Sequence, residues 1–253
     1  MKSAVVTGAS SGIGEATARR LGEAGWQLLL VARREERLRR LAGSLGAASV
    51  LAIDLTQEDA PAAIAGWVEQ EFGRLDLLVN NAGAAWPAEF GDPELGGYEN
   101  VRRTMAINFD ALVRVTETLL PILRRSAPSA VVNVSSVAGR GAVAKSNAYN
   151  ASKFAVAGWS EALRFEERGH GVHVGLVMPG WIATEGFPQA DLLARRATRW
   201  MVSTADKAAE AIVDAGPGGK PERYVPRAWA AFNPLRALAP RLWFRLGRRM
   251  RRY

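Results

Sequence analysis

Residues 3–32 read "SAVVTGASSGIGEATARRLGEAGWQLLLVA". A short β-rich apolar run is followed at once by a Gly/Ser turn, a stretch with helical periodicity and a second buried-strand run. That order constrains the fold more than any other feature, because strands separated by helices form βαβ units and a parallel sheet. The alternation continues. "REERLRRLAGSLG" is helical, with a stop expected at Gly46. "ASVLAID" reads as a third strand, "AAIAGWVEQEFG" as a helix ending at Gly73, and "LDLLVNNAG" as a fourth strand running into a loop. A long helix is expected over about 100–126, and a fifth strand at "AVVNVSS". A second long helix follows at "AYNASKFAVAGWSEALRFEE", then a sixth strand at "VHVGLVMPG". A loop or lid is expected over about 181–203. A helix at "ADKAAEAIVDA" and a short seventh strand at "ERYVP" complete the pattern. The expected fold is α/β: a single, doubly wound (Rossmann) parallel sheet of about seven strands with helices on both faces. Its ligands should lie at the carboxyl ends of the strands. The expected division is a catalytic Rossmann domain over 1–226, holding both the cofactor and the substrate sites, and a basic tail over 227–253.

Composition excludes several chemistries. There is no cysteine, which removes disulfides, thiolate catalysis and zinc–thiolate sites. The only histidines are His170 and His173, so a His-based triad or metal site has little material, and no metal is expected. Both histidines flank the start of the sixth strand and read as structural. No apolar run approaches the ~18–20 residues that cross a bilayer. The N-terminal "MKSAVVTGASSG" reaches glycine and serines before a signal-like stretch develops, so a cytoplasmic location is expected. The net charge is +8, yet residues 234–253 hold seven arginines and no acid, so the basic character belongs to the tail.

"TGASSGIG", Thr7 to Gly14, joins the first strand to the first helix. Its glycines, Gly8, Gly12 and Gly14, permit tight turns and close approach to a diphosphate, and the helix behind them offers free N–H groups and a positive dipole end. Alone, such a loop is as readily a structural turn; the strand before it and the helix after it favour a nucleotide site. At the end of the second strand Arg33 and Arg34 stand where an acid would select NAD. Arginines there favour a 2′-phosphate, so NADP(H) is the expected cofactor and NAD(H) the alternative. The bland reading, in which both arginines solvate a helix start, suits a helix N-terminus poorly. Asp54 in "AIDLT" either accepts from the adenine amino group or caps the next helix.

Tyr149 stands four residues before Lys153 in "SNAYNASKFAV". On a helix those side chains share a face. The pair is either a phenol–ammonium acid/base unit or an ordinary surface pair.

Five motifs decide between them. "TGASSGIG", "NNAG" (80–83), "NVSS" (133–136), "YNASK" (149–153) and "PGWIAT" (179–184) occur in this order. Together, over roughly residues 3–226, they resemble the short-chain dehydrogenase/reductase family. The resemblance implies hydride transfer between a nicotinamide and a carbinol or carbonyl carbon. It implies Tyr149 as general acid/base, Lys153 as the neighbouring cation that also holds the nicotinamide ribose, and Ser136, in preference to Ser135, on the substrate oxygen. Asn108, in "MAINFDA", matches the family asparagine of a proton relay behind the lysine. For the cofactor it implies contacts from Gly8, Ser10, Ser11, Gly12, Ile13, Gly14, Asp54 and Leu55, with Asn80, Ala82 and Gly83 along the fourth strand end. Pro179, Gly180, Ile182 and Thr184 would border the carboxamide. A phenol has a pKa near ~10, and an adjacent ammonium favours its anion. The resemblance also implies dimers or tetramers built on the two long helices.

The segments behind these motifs offer Trp86, Val137, Trp181, Phe187, Trp200 and Met201 as pocket walls. They suggest an apolar substrate: a fatty-acyl, steroid-like or aromatic ketone. A 3-oxoacyl-carrier-protein reductase is the alternative, and would call on Arg140, Lys145, Arg195 and Arg196 for its acidic carrier. A non-catalytic nucleotide-binding scaffold is a further alternative, disfavoured by the intact Ser–Tyr–Lys set. The tail, 233–253, is expected to form a basic amphipathic helix pair. Leu235, Leu238, Ala239, Leu242, Trp243, Leu246 and Met250 fall on one side of a wheel, and Arg241, Arg245, Arg248, Arg251 and Arg252 on the other. Phe244 and Arg249 break the pattern. Such a tail either contacts an anionic membrane or docks on the protein. Nucleic acid is a weak third option, because the body has no basic stripe.

Overall fold

The computed structural model describes residues 1–142, 144–185, 189–196 and 198–249. Seven parallel strands form one sheet: β1 (Ser3–Thr7), β2 (Gln27–Ala32), β3 (Ala48–Ala52), β4 (Leu77–Asn80), β5 (Ser129–Val134), β6 (Val172–Pro179) and, last in the chain, β9 (Glu222–Val225). Their spatial order is β3-β2-β1-β4-β5-β6-β9. The inner strands β1, β2, β4, β5 and β6 are largely apolar runs because both faces are covered, whereas the edge strands β3 and β9 are only partly buried. In β2 the side chains alternate: Leu28 and Leu30 join one core, Leu29 and Val31 the other. Helices α1 (Gly12–Glu23), α2 (Glu35–Gly43) and α8 (Ala205–Ala215) close the first core through Leu21, Leu38 and Ile212. Helices α3 (Ala60–Glu71), α5 (Ala111–Arg125) and α6 (Asn147–Glu167) close the second through Ile64, Leu119 and Leu163.

The strand order reverses between β1 and β4, so the loops after those strands diverge and leave a crevice at their carboxyl ends. Helix α4 (Gly97–Met105) runs into a single π-helical turn, Ala106–Asp110, before α5 begins. The expected helix over 100–126 is therefore two helices with a widened turn between them. The expected lid over 181–203 contains a small two-stranded pairing of β7 (Trp181–Ala183) with β8 (Val202–Thr204), and a short α7 (Ala190–Ala194). Strands of three residues carry too little periodicity to be read from sequence.

Beyond Pro226 the chain turns over the sheet end. Trp229 is buried, and α9 (Phe232–Leu238) and α10 (Pro240–Arg249) follow. Ala239 breaks them, at φ −132° and ψ 59°, so one continuous wheel does not describe the tail. Met250, Arg251 and Arg252 lie outside the described residues. Among the described residues no helix is long and apolar enough to cross a membrane.

Candidate active site

The crevice is a cavity of about 1310 Å³ running from the ends of β1–β3 to the tail. Its floor is the glycine loop. Gly8 holds φ +66°, and a Cβ there would lie 2.9 Å from the Ala82 Cα, so the loops after β1 and β4 touch backbone to backbone. A Cβ on Gly14 would collide with the Gly8 carbonyl. Thr7 ties the two loops together: its hydroxyl donates to the Val79 carbonyl at 3.1 Å and accepts from the Asn81 and Ala82 N–H groups at 3.0 and 3.1 Å. Ser11 precedes α1 and makes no side-chain cap, so the first N–H groups of that helix face the crevice with its dipole.

At the β2 end Arg34 donates to the Ser10 hydroxyl at 3.0 Å and to the Ser11 hydroxyl at 2.7 Å. Arg33 is mostly exposed and stands 3.8 Å from Asp54. Asp54 accepts from the N–H and hydroxyl of Thr56, and these bonds, the backbone one foremost, hold its carboxyl below the usual range. Asp54 thus closes a turn after β3 while also lining the cavity.

At the centre, α6 carries Tyr149 and Lys153 one turn apart against the end of β5. The Tyr149 hydroxyl stands close enough to Ser136 for that side chain to act on its titration, and the Ser136 hydroxyl itself donates to the Pro179 carbonyl at 3.3 Å and accepts from the Ala138 N–H at 3.1 Å. Lys153 is buried; its Nζ donates to the Val134 carbonyl at 3.0 Å and lies 5.7 Å from the Tyr149 ring centre. Ser135 points the other way and donates to the Lys153 carbonyl at 2.7 Å, pinning α6 to β5. The π-helical turn places Asn108 fully buried behind the lysine. Its Oδ1 accepts from the Ala84 N–H at 2.8 Å, and its Nδ2 donates to the Ala84 carbonyl at 2.9 Å and the Ser152 hydroxyl at 3.0 Å.

Burial pushes the Tyr149 phenol above its ordinary pKa, against the opposing effect of the Ser136 hydrogen bond. The same burial pushes Lys153 down to about 8. The protein alone therefore drives both groups toward their neutral forms. The sequence expectation assigns the phenol two cations, the Lys153 ammonium and the oxidised nicotinamide. The Lys153 amine lies 5.7 Å from the ring centre and is directed at the Val134 carbonyl.

A dinucleotide fits this floor. The glycine loop lets backbone approach a diphosphate, the α1 N-terminus faces it, and the arginine–serine cluster offers donors for a phosphate at the far end. Residues 2–191 match the protein family described as short chain dehydrogenase. The chain belongs to the short-chain dehydrogenase/reductase family. It is 38% identical over 186 residues to sulfoacetaldehyde reductase 2 of Chromohalobacter salexigens, covering 72% of this chain and 73% of that one. It is 38% identical over 183 residues to serine 3-dehydrogenase of Agrobacterium fabrum, covering 72% of each. A solved structure, the Pseudomonas aeruginosa RhlG/NADP active-site complex, superposes with a TM-score of 0.75 at 28% identity, covering 88% of this chain and 93% of that one.

As a short-chain dehydrogenase/reductase, the protein is an NAD(P)-dependent oxidoreductase acting on CH–OH or C=O groups. Around one cavity the fold gathers Gly8, Ser10, Ser11, Gly12, Ile13, Arg33, Arg34, Asp54, Leu55, Ala82, Gly83, Ser136, Tyr149, Lys153, Pro179, Gly180, Ile182 and Thr184. Gly14 and Asn108 stand just behind that wall.

Asn80 does not reach it. Its Nδ2 is buried under α5, bonded to the Thr116 hydroxyl at 2.8 Å and to Asn133 Oδ1 at 2.9 Å. Its neighbour Asn81 is the cavity residue, with Nδ2 on the Thr7 carbonyl at 3.0 Å. Of the expected pocket walls, Trp86, Val137 and Trp181 line the cavity. Trp200 and Met201 do not: Trp229 from the tail lies inside them, its ring centre 6.4 Å from that of Trp200 at a 33° tilt, and donates from its indole N–H to the Met201 carbonyl at 3.2 Å. Phe187 lies outside the described residues. The walls missing from the sequence expectation include Arg103, Ile107 and Tyr224 from the body and Trp229, Phe232, Asn233 and Trp243 from the tail. For the tail residues, aromatic spacing is the one local signal that could have shown them. Both histidines lie off the cavity; His173 faces the Lys220 carbonyl at 3.3 Å.

Proposed function

We propose that the protein interconverts an apolar ketone and its alcohol with NADP(H), using Tyr149 as general acid/base. The observation that carries this reading is that Ser136, Tyr149 and buried Lys153 line one cavity together with the glycine loop. Hydride exchange with the substrate carbon is the chemistry a bound nicotinamide supplies. Ser136 and Tyr149 would hold the substrate oxygen between two hydroxyls. Tyr149 Oη would deliver a proton to that oxygen in reduction and remove it in oxidation. Lys153 would hold the nicotinamide ribose, and in its ammonium form would steady the phenolate. Asn108, by fixing Ala84 and Ser152, keeps the β4 loop and α6 in register behind the lysine.

Arg33, Arg34 and the Ser10 and Ser11 hydroxyls form the group suited to a 2′-phosphate, and the NADP named for the Pseudomonas neighbour supports the same preference. The relatives named above act, by their names, on small polar substrates that differ from one another, so the substrate is read from this chain's own walls. Trp86, Trp181, Trp229, Phe232 and Trp243 make those walls aromatic. The carrier-protein alternative is weakened by Arg140, which is tied to Glu161 and to Glu222, the latter at 3.2 Å, and by Lys145, which stands 3.8 Å from Glu89. Assembly into a homodimer or homotetramer through α5 and α6 belongs to the same reading; Phe165 on α6 is exposed. So does a cytoplasmic site of action.

The test is NADPH oxidation against short-chain, long-chain, polycyclic and aromatic ketones, with NADH in parallel. Turnover of the larger apolar ketones with NADPH is expected. A panel without turnover, with NADPH still bound, would point to a scaffold.

A further inference from the structure

The two tail helices have an inside and an outside, and the outside is unusual. Inward, Trp243 packs so tightly over Gly141 that a Cβ there would lie 2.5 Å from its ring. It meets Phe232 at 6.2 Å between ring centres, and Phe232 meets Trp229 at 5.2 Å. This aromatic row is the roof of the substrate end of the cavity. Outward, Leu238 is 86%, Phe244 70% and Leu242 46% exposed, with the exposed Arg241 and Arg245 among them. Large apolar side chains interleaved with arginines, on a segment that lacks any acid over 234–253, form a surface that water solvates poorly and that anions attract.

Three occupants could cover it, and the chemistry separates them. A second copy through the same face would set one arginine cluster against another, which is repulsive. Nucleic acid would neutralise the arginines and leave Leu238, Leu242 and Phe244 in water. An anionic bilayer satisfies both halves: the apolar side chains enter the acyl boundary and the guanidinium groups reach lipid phosphates.

We propose that α9 and α10 seat the protein on an anionic membrane surface, and that its apolar substrate enters the cavity from that bilayer. Because the roof of the cavity and the membrane face are two sides of the same helices, a ketone dissolved in lipid lies next to the pocket it must enter. The substrate half of this proposal rests on the function proposed above; the docking half does not.

The experiment is co-sedimentation of the full-length protein with phosphatidylcholine vesicles, with and without phosphatidylglycerol. Wild type should sediment with the anionic vesicles at low salt and be released at high salt. Leu242→Asp with Phe244→Asp, and separately Arg241→Glu with Arg245→Glu, should each lower the bound fraction about tenfold or more. Neither pair touches the cavity, so NADPH binding should be unchanged. Anionic vesicles should also raise turnover of a long-chain ketone by wild type and not by either variant, and leave a short, water-soluble ketone unaffected. Wild type that stays in solution with anionic vesicles at low salt would overturn the docking. So would vesicle binding that both variant pairs retain, or tail-dependent binding confined to duplex DNA or to a second copy. Salt-sensitive vesicle binding without turnover of any ketone would uphold the docking and overturn the catalytic reading instead.

Discussion

Lys153 Nζ sits 5.7 Å from the ring centre of Tyr149, but its hydrogen bond goes to the Val134 carbonyl. The lysine is thus a buried cation beside the phenol and not a partner bonded to it. Its depressed pKa, about 8, makes it the group whose titration should be visible in the folded protein.

The sign of that titration is fixed. An unfolded lysine keeps its proton to ~10.4, so between about pH 8 and 10 the unfolded chain binds more protons than the folded one, and stability rises with pH there. Below about pH 8 the cost of the buried charge is present in full. The Tyr149 phenol, pushed up, stays protonated through this window and adds nothing until pH passes ~10. Denaturant midpoints of wild type and Lys153→Met, compared at pH 7.5 and 9.5 (roughly the two ends of the window), should show wild type gaining about 2 kcal/mol on the variant. A difference that does not change with pH would mean Lys153 titrates as an exposed lysine.

Cofactor choice should reside at the β2 end. Arg34 bonds both loop serines, and Arg33 makes a long contact with Asp54; both arginines line the cavity at this end. A charge-assisted contact contributes about 1.5–3 kcal/mol, or roughly one to two powers of ten in Kd. Arg33→Ala with Arg34→Ala should weaken NADPH by that factor for each residue and leave NADH nearly unchanged. Titration of the protein's fluorescence with each nucleotide checks this; equal affinity of wild type for both would contradict it.

Asn108 should matter for stability as well as rate. Asn108→Ala leaves the Ala84 N–H and carbonyl and the Ser152 hydroxyl short of a buried partner, which should cost roughly 2–3 kcal/mol. Urea unfolding reads the stability, and kcat should fall because the Asn108 amide and the Lys153 amine both face Gly83. Asn108→Asp, which keeps the acceptor and loses the donors, should fall between.

Much of this fold is legible in the chain because β1, β2, β4, β5 and β6 are buried on both faces and announce themselves as apolar runs between helices. The glycine loop and the Tyr149–Lys153 spacing are equally local. What is not local is not legible. Asn80 and Asn81 are adjacent and identical, yet strand alternation turns the first under α5 and leaves the second at the cavity. Which one faces the crevice depends on where β4 ends. Trp229 and Trp243 reach the cavity because the tail folds back over the ends of β5 and β6; the apolar face of the tail allowed docking on the body, but its local pattern does not say which wall it would meet. Desolvation of the Tyr149 phenol is likewise a property of the surrounding walls and not of the four-residue spacing.

Tyr149→Phe removes one hydroxyl from the centre of the site and leaves the glycine loop, Arg33, Arg34 and Lys153 in place. Steady-state NADPH oxidation with an apolar ketone that wild type reduces should fall to background in this variant, while its NADPH affinity stays within a few-fold of wild type. Retention of more than a few per cent of wild-type kcat would contradict Tyr149 as the proton donor.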